Sequence, residues 1–597
     1  MTKRRTKRRP DSRSKRRRPK RRAKRFNPAI LIIALIFIIG GYLGFQMVRD
    51  GSIENMFFYN NDKADLKNFF DISDDKEVAI VIGDEILDEK ARLIDGAYYM
   101  DYPSVQKYIN SRFYYGMEDE TITYTTPTTI ITANVGETGW TDSDGGSGDE
   151  GYVIAKVEND NLYLALDYVK KYTNFAYTAY KDPNRIELFT SWDEQQVATV
   201  ARNTKLRVKG GPKSEVLEDL KKGQSVVVLE EFESWYKVKS EDAFIGFVEK
   251  KKVKDKKAFT PEPVTDYEEP EYTKNIRDHK INLAFHNIGA ASANSHLEKD
   301  LEGTHGINAI APMWLRLDDN SGKIDSIASS EYVEKAHAAG LEVWPILNNL
   351  NMREGVFTYE TLCRAESRAN LINEAIEAVK GCGADGVNVD FEGIDEKEAV
   401  PLVEFIRELS IACRKEGLVL SVDDPVPLNN LNTHMNFKEQ GIVADYVIMM
   451  GYDERTKDAT DAGSVASLGF VEEGLKNLSK EVDPSQLINA VPLYTRIWHT
   501  SADGSFSNEV AYRENMQKFI DSNNVKLIWD GEVGQNYGEY TDSNGNFSQI
   551  WVEDAKSLEA KINVMKQYEI GGIAEWSIGI GKETDDVWDV IAEFIEG

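Results

Sequence analysis

The chain has 597 residues, a formal net charge of −28 and three cysteines, a length that allows several domains. The charge is uneven: residues 1–25 hold sixteen Lys and Arg and one acid, Asp11, so the rest sums to roughly −43. A body this acidic repels anionic polymers and is not built to bind nucleic acid. Cys363, Cys382 and Cys413 form no Cys-x-x-Cys pair, which speaks against a disulfide framework or a metal centre and for buried or free thiols.

In chain order, residues 1–28 form a basic arm. Ala29 to Val48 is apolar except for Tyr42 and Gln46 and is long enough to span a hydrocarbon core as a transmembrane helix. Flanking basic residues stay on the cytoplasmic side, so the acidic bulk is expected outside the cell. No Ala-x-Ala-like site follows, which predicts an uncleaved signal anchor and a single-pass protein of the cell membrane. Few cysteines in an exported protein suit a bacterial envelope. Residues 49–76 read as a polar stalk.

From 77 to 191, short β-rich runs alternate with brief helical patterns. Tyr99, Val105, Lys107 and Tyr108 recur at constant offset as Tyr163, Val169, Lys171 and Tyr172, which predicts a duplicated strand–helix–strand α+β domain. It resembles copper-amine-oxidase N-terminal-like domains in fold only, because no His cluster is present to hold copper. Gly136 to Gly151 reads as a flexible loop. Residues 197–254 carry short strands between Gly and Pro turns, a pattern that resembles bacterial SH3-like barrels. Trp235 and Tyr236 suit either its core or a ligand platform. Residues 255–280, acidic and Pro-containing, read as an extended linker.

From 281 to 597 the pattern is strand–helix alternation. Eight candidate strands (282–287, 308–315, 342–347, 386–392, 419–423, 446–452, 489–494 and 572–576) predict a (β/α)₈ TIM barrel with its site at the strand C-terminal ends. There stand His286, Trp314, Asn348, Glu392, Asp423, Asp424, Tyr452, Asp453, Arg496 and Trp576. Residues 385–392 read Asp-Gly-Val-Asn-Val-Asp-Phe-Glu. Period two puts Gly386, Asn388, Asp390 and Glu392 on one face, with Val387, Val389 and Phe391 on the other. Polar and acidic residues stacked on one strand face oppose β-propensity and mark a functional site.

This segment resembles the Asp-x-x-Asp-x-Asp-x-Glu signature of glycoside hydrolase family 18, with Asn388 where most members have Asp. Met450-Gly-Tyr-Asp453, Pro492-Leu-Tyr-Thr-Arg-Ile-Trp498 and Gly571-Gly-Ile-Ala-Glu-Trp576 resemble the family's sixth, seventh and eighth strands. The variant signature is similar to that of spore-cortex and cell-wall lytic members. The resemblance implies a retaining, substrate-assisted glycosidase with Glu392 as acid and base, and Asp390 and Tyr452 at the substrate's 2-acetamido group. It also implies sugar contacts by Trp576, Asp453 and Arg496, with Asn388, Asp385 and Trp314 as further substrate-binding candidates. No metal or cofactor is called for.

Asn388 is expected to donate to Asp390 and to help it stay charged. Only about 75 residues separate strands seven and eight, a modest insert that suggests an open groove. The resulting expectation is a membrane-anchored enzyme cleaving β-1,4 bonds beside N-acetylglucosamine in peptidoglycan. The alternatives are a chitinase and a catalytically silent glycan-binding envelope protein.

Overall fold

The computed structural model describes residues 59–350, 353–429, 431–580 and 582–597, together with Ile39 and Tyr42. The basic arm lies outside the described residues, as does the expected span 29–48 apart from those two positions. Among the described residues no helix is long and apolar enough to cross a membrane. The chain divides into two compact units, one ending at Asp88 and resuming over Tyr177–Pro263, the other comprising Glu89–Ala176 and Val264–Gly597.

The first unit is built on a seven-stranded antiparallel sheet. Its order is Val216–Leu220, Thr204–Arg207, Ile245–Glu249, Trp235–Ser240, Ser225–Glu231, Gln195–Val200, Val253–Phe259. The expected stalk differs from what is found. Residues 66–69 are helical, and Phe70 and Ile72 are buried with Val226, Val238 and Phe244 in the core of this unit. An aromatic pair inside a polar run is too apolar to stay in water. The expected linker differs too, since Val253–Phe259 is the sheet's edge strand.

In the second unit, Ala97–Asp101 and Asn161–Ala165 pair antiparallel, each leading into a short helix, at Tyr102–Tyr108 and Leu166–Val169. These are the two copies of the repeat. The segment 77–191 is nonetheless not one compact domain, because the units part within it. The expected loop at 136–151 contains a hairpin, Gly139–Asp142 with Ser147–Asp149, its turn tied by Asp142 Oδ1 accepting from the Gly146 and Asp144 N–H groups.

The larger part of this unit is an eight-stranded parallel barrel. Its strands are β1 (Ile281–His286), β2 (Ala309–Pro312 and Leu315–Leu317), β3 (Glu342–Val343 and Ile346–Asn348), β4 (Gly386–Asp390), β5 (Val419–Pro425), β6 (Tyr446–Met450), β7 (Leu487–Pro492) and β8 (Gly572–Ile578). β2 and β3 are each broken once, and both halves pair with each other. β8 pairs with β7 and with β1, which closes the ring.

Alternation sorts the side chains into two layers. Val387, Val389 and Phe391 pack outward against helices, while Ile281, Leu283, Trp344, Ile346, Tyr446 and Ile448 fill the inside. Gly386 has a steric reason: a Cβ there would lie 2.8 Å from the Val419 carbonyl and 3.0 Å from Trp344, whose ring stacks on Tyr446. The helix after β4, Glu396–Glu416, opens on a reciprocal capping box between Asp395 and Glu398 and ends at Gly417, φ 71°.

Between β7 and β8 stands a complete α+β insertion, not a modest insert. Five antiparallel strands run in the order Phe506–Tyr512, Tyr494–Thr500, Phe547–Val552, Gln535–Thr541, Ile528–Asp530, with a helix at Arg513–Asn523. It has its own core of Ile497, Met516, Ile520 and Ile550.

Candidate active site

β4 delivers its polar face into the barrel. Asn388 and Asp390 are buried there, and Glu392 follows just beyond the strand end. Glu392 is held by its backbone: its N–H donates to Asn349 Oδ1 and its carbonyl accepts from Asn349 Nδ2, both at 2.9 Å. Asn349 in turn donates to Thr358 Oγ1. The end of β3 therefore sets where the Glu392 carboxyl can reach.

β5 adds a residue in register with this face. Val419, Ser421 and Asp423 point inward, and Asn388 Nδ2 donates to Ser421 Oγ and to Asp423 Oδ1, each at 2.9 Å. The expected Asn388–Asp390 bond is not made, and Asp390 Oδ1 has no hydrogen-bond partner. Asn388 is a buried connector between β4 and β5, with both amide hydrogens committed to β5.

β6 ends at Met450, and the next residues turn sharply into the cleft. Asp453 sits at φ 59°, a left-handed conformation that Asp tolerates better than most residues. Gly451 has no room for a side chain, since a Cβ would lie 2.6 Å from Asn489 Oδ1. This turn aims Tyr452 inward, its ring 6.4 Å from that of Trp576 and nearly parallel to it. Trp576 also meets Phe285 at 5.6 Å. Tyr494, on the first insertion strand, donates its hydroxyl to Asp453.

Asp390, Glu392, Asp423, Tyr452, Asp453 and Trp576 all line one cleft of about 1030 Å³, which also reaches Trp551 and Glu532 of the insertion. Burial pushes the Asp390 carboxyl up to about 8, and the charge of Glu392 adds to it. Burial also raises Glu392, helped by Asp453. Asp423 is raised well above the usual carboxylate range by burial and then by Asp390, against the lowering effect of the Asn388 bond. Burial, then Asp390 and Asp423, hold Tyr452 protonated. A cleft base that keeps carboxyls protonated near neutral pH can donate protons to an oxygen leaving group.

Three candidate residues lie elsewhere. Asp385 precedes β4 at its N-terminal end, accepting from the Val343 N–H and facing His337, both at 2.8 Å. Trp314 is core: its indole donates to Asn294 Oδ1 at 2.8 Å and meets Tyr332 edge-on. Arg496 belongs to the insertion, where it donates to Asn508 Oδ1 at 2.6 Å, and it does not line the cleft. Two residues at the site belong to none of the motifs: Asp423, known from the sequence as a strand-end residue, and Asn349, which the sequence does not single out. Asp423 shares the inward alternation of β5, which is visible in the sequence; the role of Asn349 depends on a contact between strands. Among the described residues no group of His, Cys, Asp and Glu could hold a metal ion. The three cysteines are free and buried.

The family model "Glycosyl hydrolases family 18" matches residues 264–580, and "Bacterial SH3 domain" matches residues 202–254. Among curated relatives, the uncharacterized glycosylase YvbX of Bacillus subtilis is 24% identical over 294 residues, covering 48% of this chain and 84% of its own length. The cortical fragment-lytic enzyme of Bacillus subtilis is 23% identical over 220 residues, 36% of this chain and only 51% of that enzyme. Human di-N-acetylchitobiase is 22% identical over 306 residues, 45% of this chain and 76% of that protein. Among solved structures, the Bacillus cereus spore cortex-lytic enzyme SleL aligns at 20% identity and TM-score 0.47 over 53% of this chain and 74% of that one.

Proposed function

The chain belongs to glycosyl hydrolase family 18 and is a glycoside hydrolase; from that premise we propose that it cleaves β-1,4 bonds beside N-acetylglucosamine in peptidoglycan by a retaining, substrate-assisted mechanism. The observation that carries this reading is the convergence of Asp390, Glu392, Tyr452 and Trp576 on the base of one cleft.

Glu392, its pKa raised by burial, protonates the leaving glycosidic oxygen. The carbonyl oxygen of the substrate's 2-acetamido group attacks the anomeric carbon, forming a cyclic oxazolinium ion. Asp390 orients that group and Tyr452 hydrogen-bonds it, so the nucleophile comes from the substrate and a second catalytic carboxylate is not required. Glu392, now ionised, takes a proton from water as the water opens the ring with net retention. Trp576 offers an apolar face to the distorted sugar.

Location and architecture are part of the proposal. Residues 29–48 anchor the protein in the cell membrane as a single span, with the basic arm in the cytoplasm and both units outside. The SH3-like sheet acts as a wall-facing module. Chitin is the second reading, supported by the chitobiase relative.

The test incubates the protein and Glu392→Gln with purified peptidoglycan and with chitin, then reduces the products and identifies new ends by mass spectrometry. New N-acetylglucosamine ends from peptidoglycan, with a loss above about 1000-fold in Glu392→Gln, are expected. Cleavage of chitin alone would move the substrate to the second reading. Binding without cleavage by either protein would remove the enzymatic mechanism.

A further inference from the structure

The cleft carries its charge in two zones. Its base holds the buried carboxyls of Asp390 and Asp423, with Asp390 Oδ1 unpartnered. Its more exposed lining, the outer wall, carries three acids from three separate segments: Glu454 after β6, Glu473 on the helix Leu468–Leu478, and Glu532 on the insertion. Glu454 accepts from the Ser467 N–H at 2.8 Å, and Glu473 accepts from Asn429 Nδ2 at 2.7 Å. These donors are neutral, so they position the carboxylates without cancelling their charge. Among the described residues lining the cleft, Arg455 is the single basic side chain, and it faces Asp461 at 3.3 Å. An anionic wall beside a base that buries protonated carboxyls asks for two different sugar substituents along one chain.

Resting on the glycosidase reading above, we propose that the outer cleft selects glycans whose sugars beyond the reacting N-acetylglucosamine carry free 2-amino groups. A protonated amine is a compact cation that meets carboxylates on the wall, whereas a carboxylate-bearing substituent there meets like charge. The reacting sugar itself must keep its acetamido group, because that group supplies the nucleophile. The amine has two possible sources, de-N-acetylated peptidoglycan strands and partly de-N-acetylated chitin, and both present the same chemistry to Glu454, Glu473 and Glu532.

The test compares four probes with the full chain: fully N-acetylated chitin hexamer, partly de-N-acetylated hexamer, and stem-free peptidoglycan strands with and without de-N-acetylation. Their kcat/KM values are measured at low and high salt, alongside binding to Glu392→Gln by calorimetry. Within each pair the amine-bearing chain is expected to be preferred by about tenfold at low salt, with the preference fading at high salt. In the triple variant Glu454→Gln/Glu473→Gln/Glu532→Gln the ratio should fall to about one. A preference in one pair only identifies the source of the amine. Equal values within both pairs, or a ratio unchanged in the triple variant, would overturn the proposal. If no probe is hydrolysed the glycosidase reading fails, while the binding ratio still decides the charge preference; absence of binding to every probe overturns both.

Discussion

Asp390 shows how one buried carboxyl links activity to stability. Its pKa rises to about 8, first through burial and then through Glu392. The folded protein therefore keeps a proton that the unfolded chain releases above about pH 4. A folded state that binds more protons loses stability as pH rises, here between about pH 4 and pH 8, and the loss levels off above that. Asp390→Asn abolishes this titration. It should raise the melting temperature by several degrees at pH 8 and by much less at pH 4; equal shifts at both pH values would contradict the assignment. Asn349 acts at the same scale through position. Removing its bonds to the Glu392 backbone should lower kcat about tenfold in Asn349→Ala and leave KM nearly unchanged. A rise in KM with kcat preserved would instead give Asn349 a substrate contact.

At the scale of elements, the insertion between β7 and β8 adds Glu532, Val533 and Trp551 to the lining of the cleft. Its strand Phe547–Val552 alternates Ile550 and Val552 into its own core with Trp551 on the cleft side. Trp551 comes from the insertion and not from a barrel strand, so the contribution expected of it is to hold sugars beyond the reacting one. Trp551→Ala should raise KM about tenfold for hexamers and leave it nearly unchanged for dimers. A uniform loss of kcat on both substrates would place Trp551 closer to the chemistry. The repeat at Tyr99 and Tyr163 is an element-scale feature that a sequence offset revealed, because each copy places the same strand–helix boundary at the same spacing.

At the scale of the larger unit, a buried ion network ties residues 89–176 to the barrel. Arg112 pairs with Glu439 at 2.9 Å, Arg407 bonds both Glu439 and Glu404, and Thr125 donates to Glu404 at 2.6 Å. Arg407 is the hub, and it lies on the helix that follows β4. Arg407→Met would leave two buried carboxylates with reduced compensation, at a cost of about 3–5 kcal/mol. A denaturant midpoint that falls accordingly, with earlier proteolysis within 89–176, is expected. An unchanged midpoint would mean the network is stability-neutral.

Local pattern by itself determined the eight barrel strands, their order, the inward face of β4 and the placement of Glu392, Asp390, Tyr452 and Trp576. The reason is physical: strand alternation and a polar strand face are encoded by neighbours two residues apart. What only the tertiary structure decided were contacts between distant segments. Asn388 is equally able to bond Asp390 or β5, and packing against Ser421 and Asp423 chose β5. Trp314, Asp385 and Arg496 carry the right chemistry for a sugar site, yet the broken β2, the start of β4 and the insertion sheet take them elsewhere. Phe70 and Ile72 entered a core that sequence distance hid. Alternation states which face a residue is on; only the closed barrel states what that face meets.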